Sequence, residues 1–360
     1  MITKKTADIL VQNYETFYCK EQKIKECDIY IYNYLLSDKD AFKAENNKGS
    51  ELRGLTIVKE NAKENIFLSV PKFFNINETQ ENQESNLKLK TIKKVSEKLD
   101  GSLIQPVKIC GEIKMKSKQS FDNQQAQMAT KLLESDEELE FFILDCWDNN
   151  FYPIFELVGP DNKIVLDYKE NKLVLIAVRT EDGEFIDIDK FNYKNRAKSF
   201  NMSLDDIIHS AKNDKNIEGY IVKFTDGSIV KIKTLDYLEK HRVLQDADSY
   251  KTILKRILEE DMDDLYATIP VDKLQEIQKI EKVLTEYVVH YITQIQDIVK
   301  AGDKGDRKAF VSKYISHKYF SVIMSALKGN DVKETLISTI LKKHQKEETA
   351  KKFLKEIGGI

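Results

Sequence analysis

A lysine stands two residues before an Asp-Gly pair in the stretch Glu97-Lys98-Leu99-Asp100-Gly101-Ser102-Leu103. One reading is a solvated side chain entering an Asp-Gly turn. The other is a nucleophile, and it carries a requirement. At an ordinary pKa of about 10.4, roughly one lysine in a thousand is unprotonated at about pH 7.5. An amine that attacks phosphorus therefore needs a positive field beside it, from other lysines or a bound cation. Lys231 and Lys233 suit this, because alternate strand positions put both ammonium groups on one side. There they would also hold phosphates and stabilise charge on a pentavalent transition state and its leaving group. Taken alone, the pair reads as the solvated edge of an amphipathic strand. Glu156 and Glu218 stand at the ends of apolar strands. They suit a ribose, or Mg²⁺ with its waters, since that ion takes few carboxylates plus phosphate oxygens. The plain alternative is a glutamate facing water. No Gly-x-x-x-x-Gly-Lys-Ser/Thr occurs, which excludes a P-loop grip on a nucleotide.

These residues need strands to hold them. The opening 20 residues read as a helix with Ile9, Leu10 and Tyr14 on one side. Asp28 to Tyr34 alternates and is rich in β-formers, and Leu52 to Val58 reads as a second strand. Residues 77–90 read as a surface connection. Cys110 to Lys118 alternates, with Ile113 and Met115 one way and Glu112, Lys114, Lys116 and Lys118 the other. A helix capped by Ser120 follows, enclosing Ala126, Met128, Ala129, Leu132 and Leu133, and then an acidic patch from Glu134 to Glu140. Strands resume at Tyr152–Val158 and Lys172–Val178. Gly219 to Lys233 reads as a hairpin turned on the two residues Asp226-Gly227. That register puts Tyr220, Val222, Lys231 and Lys233 on one face, with Glu218 joining them.

Beyond Asp236 the pattern becomes helical. Val271 to Lys300 carries Leu274, Ile277, Ile280, Leu284, Val288, Ile295 and Ile298 at helical spacing, so it reads as one long amphipathic helix ended by Gly302 and Gly305. Two or three more helices should reach Glu356.

Composition narrows the class. A chain of 360 residues, 41% of them hydrophobic, suggests two domains. No run of about 18 apolar residues marks a membrane span. The start Met1-Ile2-Thr3-Lys4-Lys5 lacks an apolar signal core, which points to the cytoplasm. Cys19, Cys27, Cys110 and Cys146 lie far apart, so buried reduced thiols are expected rather than a disulfide framework or zinc site. Net charge is −3, with 57 basic and 60 acidic residues. Any nucleic acid must then meet a local basic patch rather than a whole-molecule field. Lys114, Lys116, Lys118, Lys231, Lys233, Arg53 and Lys72 are the candidates for it. The five scattered histidines suggest no site.

In order and spacing, Lys98-Leu99-Asp100-Gly101, Phe155 to Gly159 (FELVG), Lys172 to Arg179 (KLVLIAVR), Glu218 to Lys223 (EGYIVK) and Lys231-Ile232-Lys233 resemble the motifs of lysine-dependent nucleotidyltransferases. Those are the RNA ligases, DNA ligases and mRNA capping enzymes. Pro71 to Glu78 (PKFFNINE), Phe155 to Leu166 and Ile217 to Lys233 resemble one branch, the T-even-phage type of single-strand RNA ligase, or RNA ligase 1 family. The likeness covers nearly the whole chain and is strongest from about Cys27 to Tyr237.

The resemblance implies an α+β protein. Residues 1–238 would form an adenylyltransferase domain of antiparallel sheets with flanking helices, and residues 239–360 an all-α domain tied to RNA or tRNA recognition. It implies that Lys98 takes AMP from ATP, passes it to an RNA 5′-phosphate, and that an RNA 3′-hydroxyl then displaces it. Catalytic roles fall on Lys98, Glu156, Glu218, Lys231, Lys233 and Lys118, with Ser117-Lys118 in a segment the family needs for ligation. Nucleotide contacts fall on Tyr32, Arg53, Lys72, Glu156, Ile176, Glu218, Ile221, Lys231 and Lys233, with Ile176 and Ile221 flanking adenine. The hairpin register above conflicts with that, since it turns Ile221 away from Lys231. A bulge would reconcile them; otherwise Val222 is the contact. Asp263-Asp264 resembles a metal-linked pair, or is the charged first turn of a helix. The implied cofactors are ATP and Mg²⁺ or Mn²⁺. The implied partner is single-stranded RNA, such as a nicked tRNA anticodon loop, met by a monomer in a host cytoplasm with no membrane. The rivals are a catalytically silent RNA-binding protein of the same fold and a sister enzyme acting on DNA ends.

Overall fold

The computed structural model describes residues 2–61, 63–240, 249–266, 271–302 and 305–360. The chain forms two compact units, Met1–Tyr34 with Lys39–Val243, and Leu35–Asp38 with Leu244–Ile360. No helix among the described residues is long and apolar enough to cross a membrane.

Three sheets build the first unit. The first runs in chain order through β1 (Phe17–Ile24), β2 (Cys27–Tyr34), β3 (Leu55–Glu60) and β4 (Lys63–Phe67), all antiparallel. Successive side chains alternate between its faces, and both faces are covered. Tyr32, Tyr34, Leu55 and Ile57 pack on Ala7, Leu10 and Phe42, while Cys27, Ile29, Ile31 and Val58 pack on Val107 and Ile109. The opening helix therefore stops early, at Lys4–Asn13, because Phe17 to Ile24 supplies the edge strand.

The other two sheets hold the residues of chemical interest. One contains β5 (Phe74–Asn75), β6 (Ile92–Lys98), β12 (Ser199–Phe200), β13 (Gly219–Phe224) and β14 (Ile229–Lys233), in the order β12-β6-β13-β14-β5. The other contains β7 (Ser102–Ile109), β8 (Glu112–Ser117), β9 (Phe151–Val158), β10 (Lys172–Thr180) and β11 (Phe185–Ile186), ordered β11-β10-β9-β7-β8. The second of these is backed by helices Gln124–Glu134 and Glu137–Asp148, whose Ala129, Leu139, Phe142 and Ile143 share a core with Phe155, Leu157 and Leu175. Asn123, not Ser120, caps the first of those helices, its side chain accepting from the Ala126 amide. The acidic patch is the start of the second: Asp136 caps it and Glu137, Glu138 and Glu140 sit at its positive end.

The hairpin register differs from expectation by one residue. Gly219 pairs with Lys233, Ile221 with Lys231 and Lys223 with Ile229. The Phe224 amide donates to the Ser228 carbonyl, so the loop is Thr225-Asp226-Gly227, three residues long, with Gly227 at φ +85°. A three-residue loop ends in such a left-handed position, where a two-residue Asp-Gly turn would not shift the pairing. One residue of slip exchanges the faces. Tyr220, Val222, Val230 and Ile232 pack inward on Leu204, Ile207 and Ala211 of helix Leu204–Asn213. Ile221, Lys223, Lys231 and Lys233 take the opposite face.

A disulfide joins Cys27, at the start of β2, to Cys110, in the turn from β7 to β8, with Cα atoms 6.4 Å apart. The expectation of reduced thiols fails for this pair, because 83 residues of separation hid a contact that sheet packing creates. Cys19 and Cys146 are free.

The second unit is helical. Val271–Ala301 is one helix of 31 residues that buries Ile277, Ile280, Leu284, Val288 and Ile295 along one side and ends before Gly302 at φ +62°. After it come four helices rather than two or three: Arg307–Tyr314, Phe320–Ala326, Val332–Lys343 and Glu347–Glu356. Asp306 and Asp331 cap two of them, which is why so short a stretch divides.

Candidate active site

Lys98 ends β6, directly opposite Gly219. Its Nζ lies 2.7 Å from Glu218 Oε1, and the same oxygen lies 3.1 Å from Lys233 Nζ. Glu218 is 3% exposed, so one buried carboxylate holds the lysine of the Asp-Gly stretch beside the lysine of β14. Where bare cations were expected next to Lys98, a carboxylate stands between them.

The Asp-Gly pair is no solvated turn. Asp100 is 2% exposed and accepts from the Val165 and Leu166 amides at 2.8 and 2.7 Å and from the Tyr237 hydroxyl at 2.9 Å. These bonds anchor the chain just after Lys98. Gly101 lets β7 close on β9: a Cβ there would stand 2.3 Å from the Leu157 carbonyl and 3.0 Å from Glu156 Cγ. Gly219 does the same for β13 and β14, since a Cβ would meet the Ile232 carbonyl at 2.1 Å. The two glycines thus bring Glu156 and Glu218 up to the lysine from two different sheets.

Between those sheets lies a cavity of about 230 Å³. Ile176 and Ile221 both line it, with Val70, Phe73, Leu99 and Leu103. Ile176 falls where the β9–β10 register shifts, between Leu175 and Ala177. The three-residue hairpin loop turns Ile221 towards the cavity, on the face opposite Val222, so Ile221 is the wall. Arg53, Glu97, Lys98, Glu156 and Lys223 bring charge to the lining, beside its apolar side chains. Its volume falls just short of the ~300 Å³ at which pockets for drug-sized ligands begin, a size for a flat base rather than a whole nucleotide.

Glu156 is half-buried on β9. Burial pushes its carboxyl up to about 7; Lys98 and Arg53 oppose this, while Glu218 and Asp100 add to it. A carboxyl held above its ordinary value binds more protons in the folded than in the unfolded chain. Its favourable contribution is therefore full on the acid side and is lost as pH rises from the ordinary carboxylate range through about 7. Above that window Glu156 is an ionised carboxylate whose burial Lys98 and Arg53 only partly offset. The expected result is that Glu156→Gln flattens the fall in melting temperature between pH 5 and pH 8 by a few degrees. Added divalent cation should raise the pH 8 melting temperature of wild type and not of Glu156→Gln. Thermal scans at both pH values decide it; equal shifts would mean that Glu156 binds no cation.

The remaining expected site residues divide. Lys231 is 5% exposed with Nζ 5.7 Å from the Phe73 ring, and Lys233 Nζ stands 4.9 Å from the Tyr237 ring. Arg53 donates to the Val70 carbonyl. Lys72 and Lys118 both approach the Tyr34 ring, at 5.9 and 4.8 Å. Tyr32 does not join them. It is fully buried, and its hydroxyl donates to Asp8 at 2.6 Å beneath the first helix, so it is a core residue. Of the seven cations expected in one cleft, Lys114 instead pairs with Glu112 at 2.9 Å, and Lys116 is fully buried. Strand alternation grouped them with Lys118, but β8 ends at Ser117 and Lys118 lies beyond its pleat. Asp263 and Asp264 fall in the short helix Met262–Tyr266 of the second unit, and the Asp264 side chain lies outside the described residues. Among the described residues, one group of three ligand-type side chains is close enough to share an ion, Cys27, Glu60 and Cys110, whose sulfurs the disulfide occupies.

Lys223 is the cavity residue that sequence reasoning passed over. It is half-buried, 4.0 Å from the Phe185 ring, and burial pushes its ammonium down to about 8, with Arg179 and Lys93 adding to the effect. The hairpin register was the signal: in the three-residue loop, Lys223 shares the face of Lys231 and Lys233.

The chain is similar to known proteins. The family model described as RNA ligase, of the T4 type, matches residues 51–246. A protein of Thermovibrio ammonificans provisionally named an RNA ligase is 26% identical over 282 residues, 73% of this chain and 72% of its own. Among solved structures, an archaeal ATP-dependent RNA ligase gives a TM-score of 0.47 at 13% identity over 87% of each chain. The Naegleria gruberi RNA ligase with pyrophosphate gives 0.39 at 16% identity over 48% of this chain, and the match spans 58% of that protein. The family match takes in more than half of the 360 residues and includes every residue found here around the cavity. The chain belongs to the T4-type RNA ligase family.

Proposed function

We propose that the protein is an ATP-dependent ligase that joins 5′-phosphate and 3′-hydroxyl ends of single-stranded RNA through an adenylate carried on Lys98. The observation that supports this best is the Lys98–Glu218–Lys233 bridge beside an apolar cavity walled by Ile176 and Ile221. Adenine would lie between those two isoleucines. The phosphates would then run towards Lys231 and Lys233, whose ammonium groups replace water as their partners.

The carboxyl chemistry of Glu156 suits a hard divalent cation, which would be shared with phosphate oxygens. Such an ion, when bound, neutralises charge on the triphosphate and the departing pyrophosphate. The protein's own groups do the rest. Glu218 holds the Lys98 nitrogen in place. That nitrogen gives one proton to solvent before it attacks and a second after, forms a P–N bond to the α-phosphorus and displaces pyrophosphate. An oxygen of the RNA 5′-phosphate next attacks the same phosphorus, breaks the P–N bond and restores the amine. The RNA 3′-hydroxyl oxygen then attacks the 5′-phosphate, loses its proton, and AMP leaves. Arg53, Lys72 and Lys118 would accompany the RNA phosphates.

We further read the helical unit as the part that selects the RNA, with repair of broken tRNA as the expected use. The test of the substrate class is a panel of single-stranded RNA, nicked duplex and single-stranded DNA, each with ATP or GTP. Sealing of single-stranded RNA with ATP is expected. Preference for DNA ends would move the protein to a sister activity, and binding without sealing would make it a silent RNA-binding relative.

Lys233→Ala should slow adenylylation at least tenfold and leave the circular dichroism spectrum unchanged, because Glu218 keeps Lys98 as a partner. Loss of the folded spectrum would make Lys233 structural.

A further inference from the structure

Lys116 is, among the described residues, the charged side chain with no exposed surface, and the mechanism above gives it no task. Its Nζ donates to three backbone carbonyls: Gly54 at 3.1 Å, Ser117 at 2.9 Å and Lys118 at 3.3 Å. Burial pushes the ammonium down to about 7, and the charges that bear on it, Arg53 and Lys118, have its own sign and add to this. An apolar residue would fill that space without the cost of desolvating a charge. What the ammonium achieves is a tie between two segments distant in sequence. One is Arg53-Gly54, just before β3; the other is Ser117-Lys118, where β8 ends. They are pressed together: Gly54 sits at φ +77°, and a Cβ on it would stand 3.0 Å from the Lys118 carbonyl. Each segment carries a cation for the site. Arg53 lines the cavity, and Lys118 approaches Tyr34 beside Lys72.

We propose that Lys116 is a positioning residue: its buried ammonium pins the main chain of both segments so that Arg53 and Lys118 present their charges to one phosphate path. The inference rests on the ligase reading of the cavity. The test uses the full-length protein, measuring label transfer from α-labelled ATP and sealing of 5′-phosphorylated single-stranded RNA. Wild type that fails to take label would overturn the ligase reading and this inference with it.

With wild type active, Lys116→Met, Arg53→Ala, Lys118→Ala and the two doubles that include Lys116→Met are compared. Lys116→Met should fold, raise the KM for ATP and slow sealing at least tenfold. Adding Arg53→Ala or Lys118→Ala to it should cost much less than either does in wild type, because their placement is already lost. Wild-type activity in Lys116→Met, or losses that simply multiply in the doubles, would overturn the proposal. If Lys116→Met does not fold, Lys116→Gln, which keeps an amide donor for the carbonyls, is put through the same cycle. Failure of both to fold would assign Lys116 to the fold alone and reject it as a positioning residue.

Discussion

Lys98→Ala is expected to abolish sealing of 5′-phosphorylated RNA, by at least a thousandfold, while still joining RNA that already carries AMP on its 5′-phosphate. In the proposed mechanism the amine takes part in the first two steps only, as acceptor of the adenylate and then as its leaving group. On that reading, once the RNA end is activated the remaining step uses the 3′-hydroxyl, Lys231, Lys233 and the carboxylates, none of which the substitution removes. The fold should tolerate the change, since Glu218 keeps its 3.1 Å contact with Lys233 and the Lys98 side chain is partly exposed. Joining of activated RNA within about tenfold of wild type is the predicted outcome of a gel assay run with both substrates. Equal loss on both would mean that Lys98 serves the final step, or that the site collapses without it.

Glu218→Gln should have the second largest effect, and should reach stability as well as activity. The carboxylate is 3% exposed and holds two ammonium groups on one oxygen. Glutamine keeps the volume and removes the charge, leaving Lys98 and Lys233 facing each other with Lys231 on the same sheet face. Breaking a buried ion pair by removing one partner typically costs ~3–5 kcal/mol. Partial exposure of Lys98 puts the expectation towards the lower end. Adenylylation should fall at least a hundredfold, because the nucleophile loses the contact that places its nitrogen. Denaturant unfolding and label transfer measure the two losses separately. A variant of wild-type stability that takes label at the wild-type rate would make the bridge incidental.

Much of this was readable in the residues. Lys98, Glu156, Glu218, Lys231 and Lys233 are marked by type and order, and the strands that carry them alternate clearly enough to be found. What failed is informative. The Asp226-Gly227 pair signals a turn but not its length, and one extra loop residue exchanged the two faces of the hairpin. That error hid Lys223 and set Val222 against Ile221. Tyr32 and Tyr34 share one face of a Tyr-Asn-Tyr strand and both are buried; only contacts distant in sequence separate them, Asp8 for Tyr32 and Lys72 with Lys118 for Tyr34. Lys116 shares its alternation with Lys114, and nothing local says that its ammonium will find three carbonyls instead of water. The Cys27–Cys110 contact depends on sheets meeting across 83 residues, which no spacing rule reaches. Asp136 and its acidic neighbours were visible as charge, though their place at a helix start was not drawn from them.

Incubating wild type with ATP and a divalent cation, then digesting it and mapping peptides by mass spectrometry, tests the central claim most directly. The account predicts one acid-labile AMP adduct, carried by the peptide that contains Lys98. An adduct on Lys223, Lys231 or any other side chain, or a protein that carries none, would contradict it.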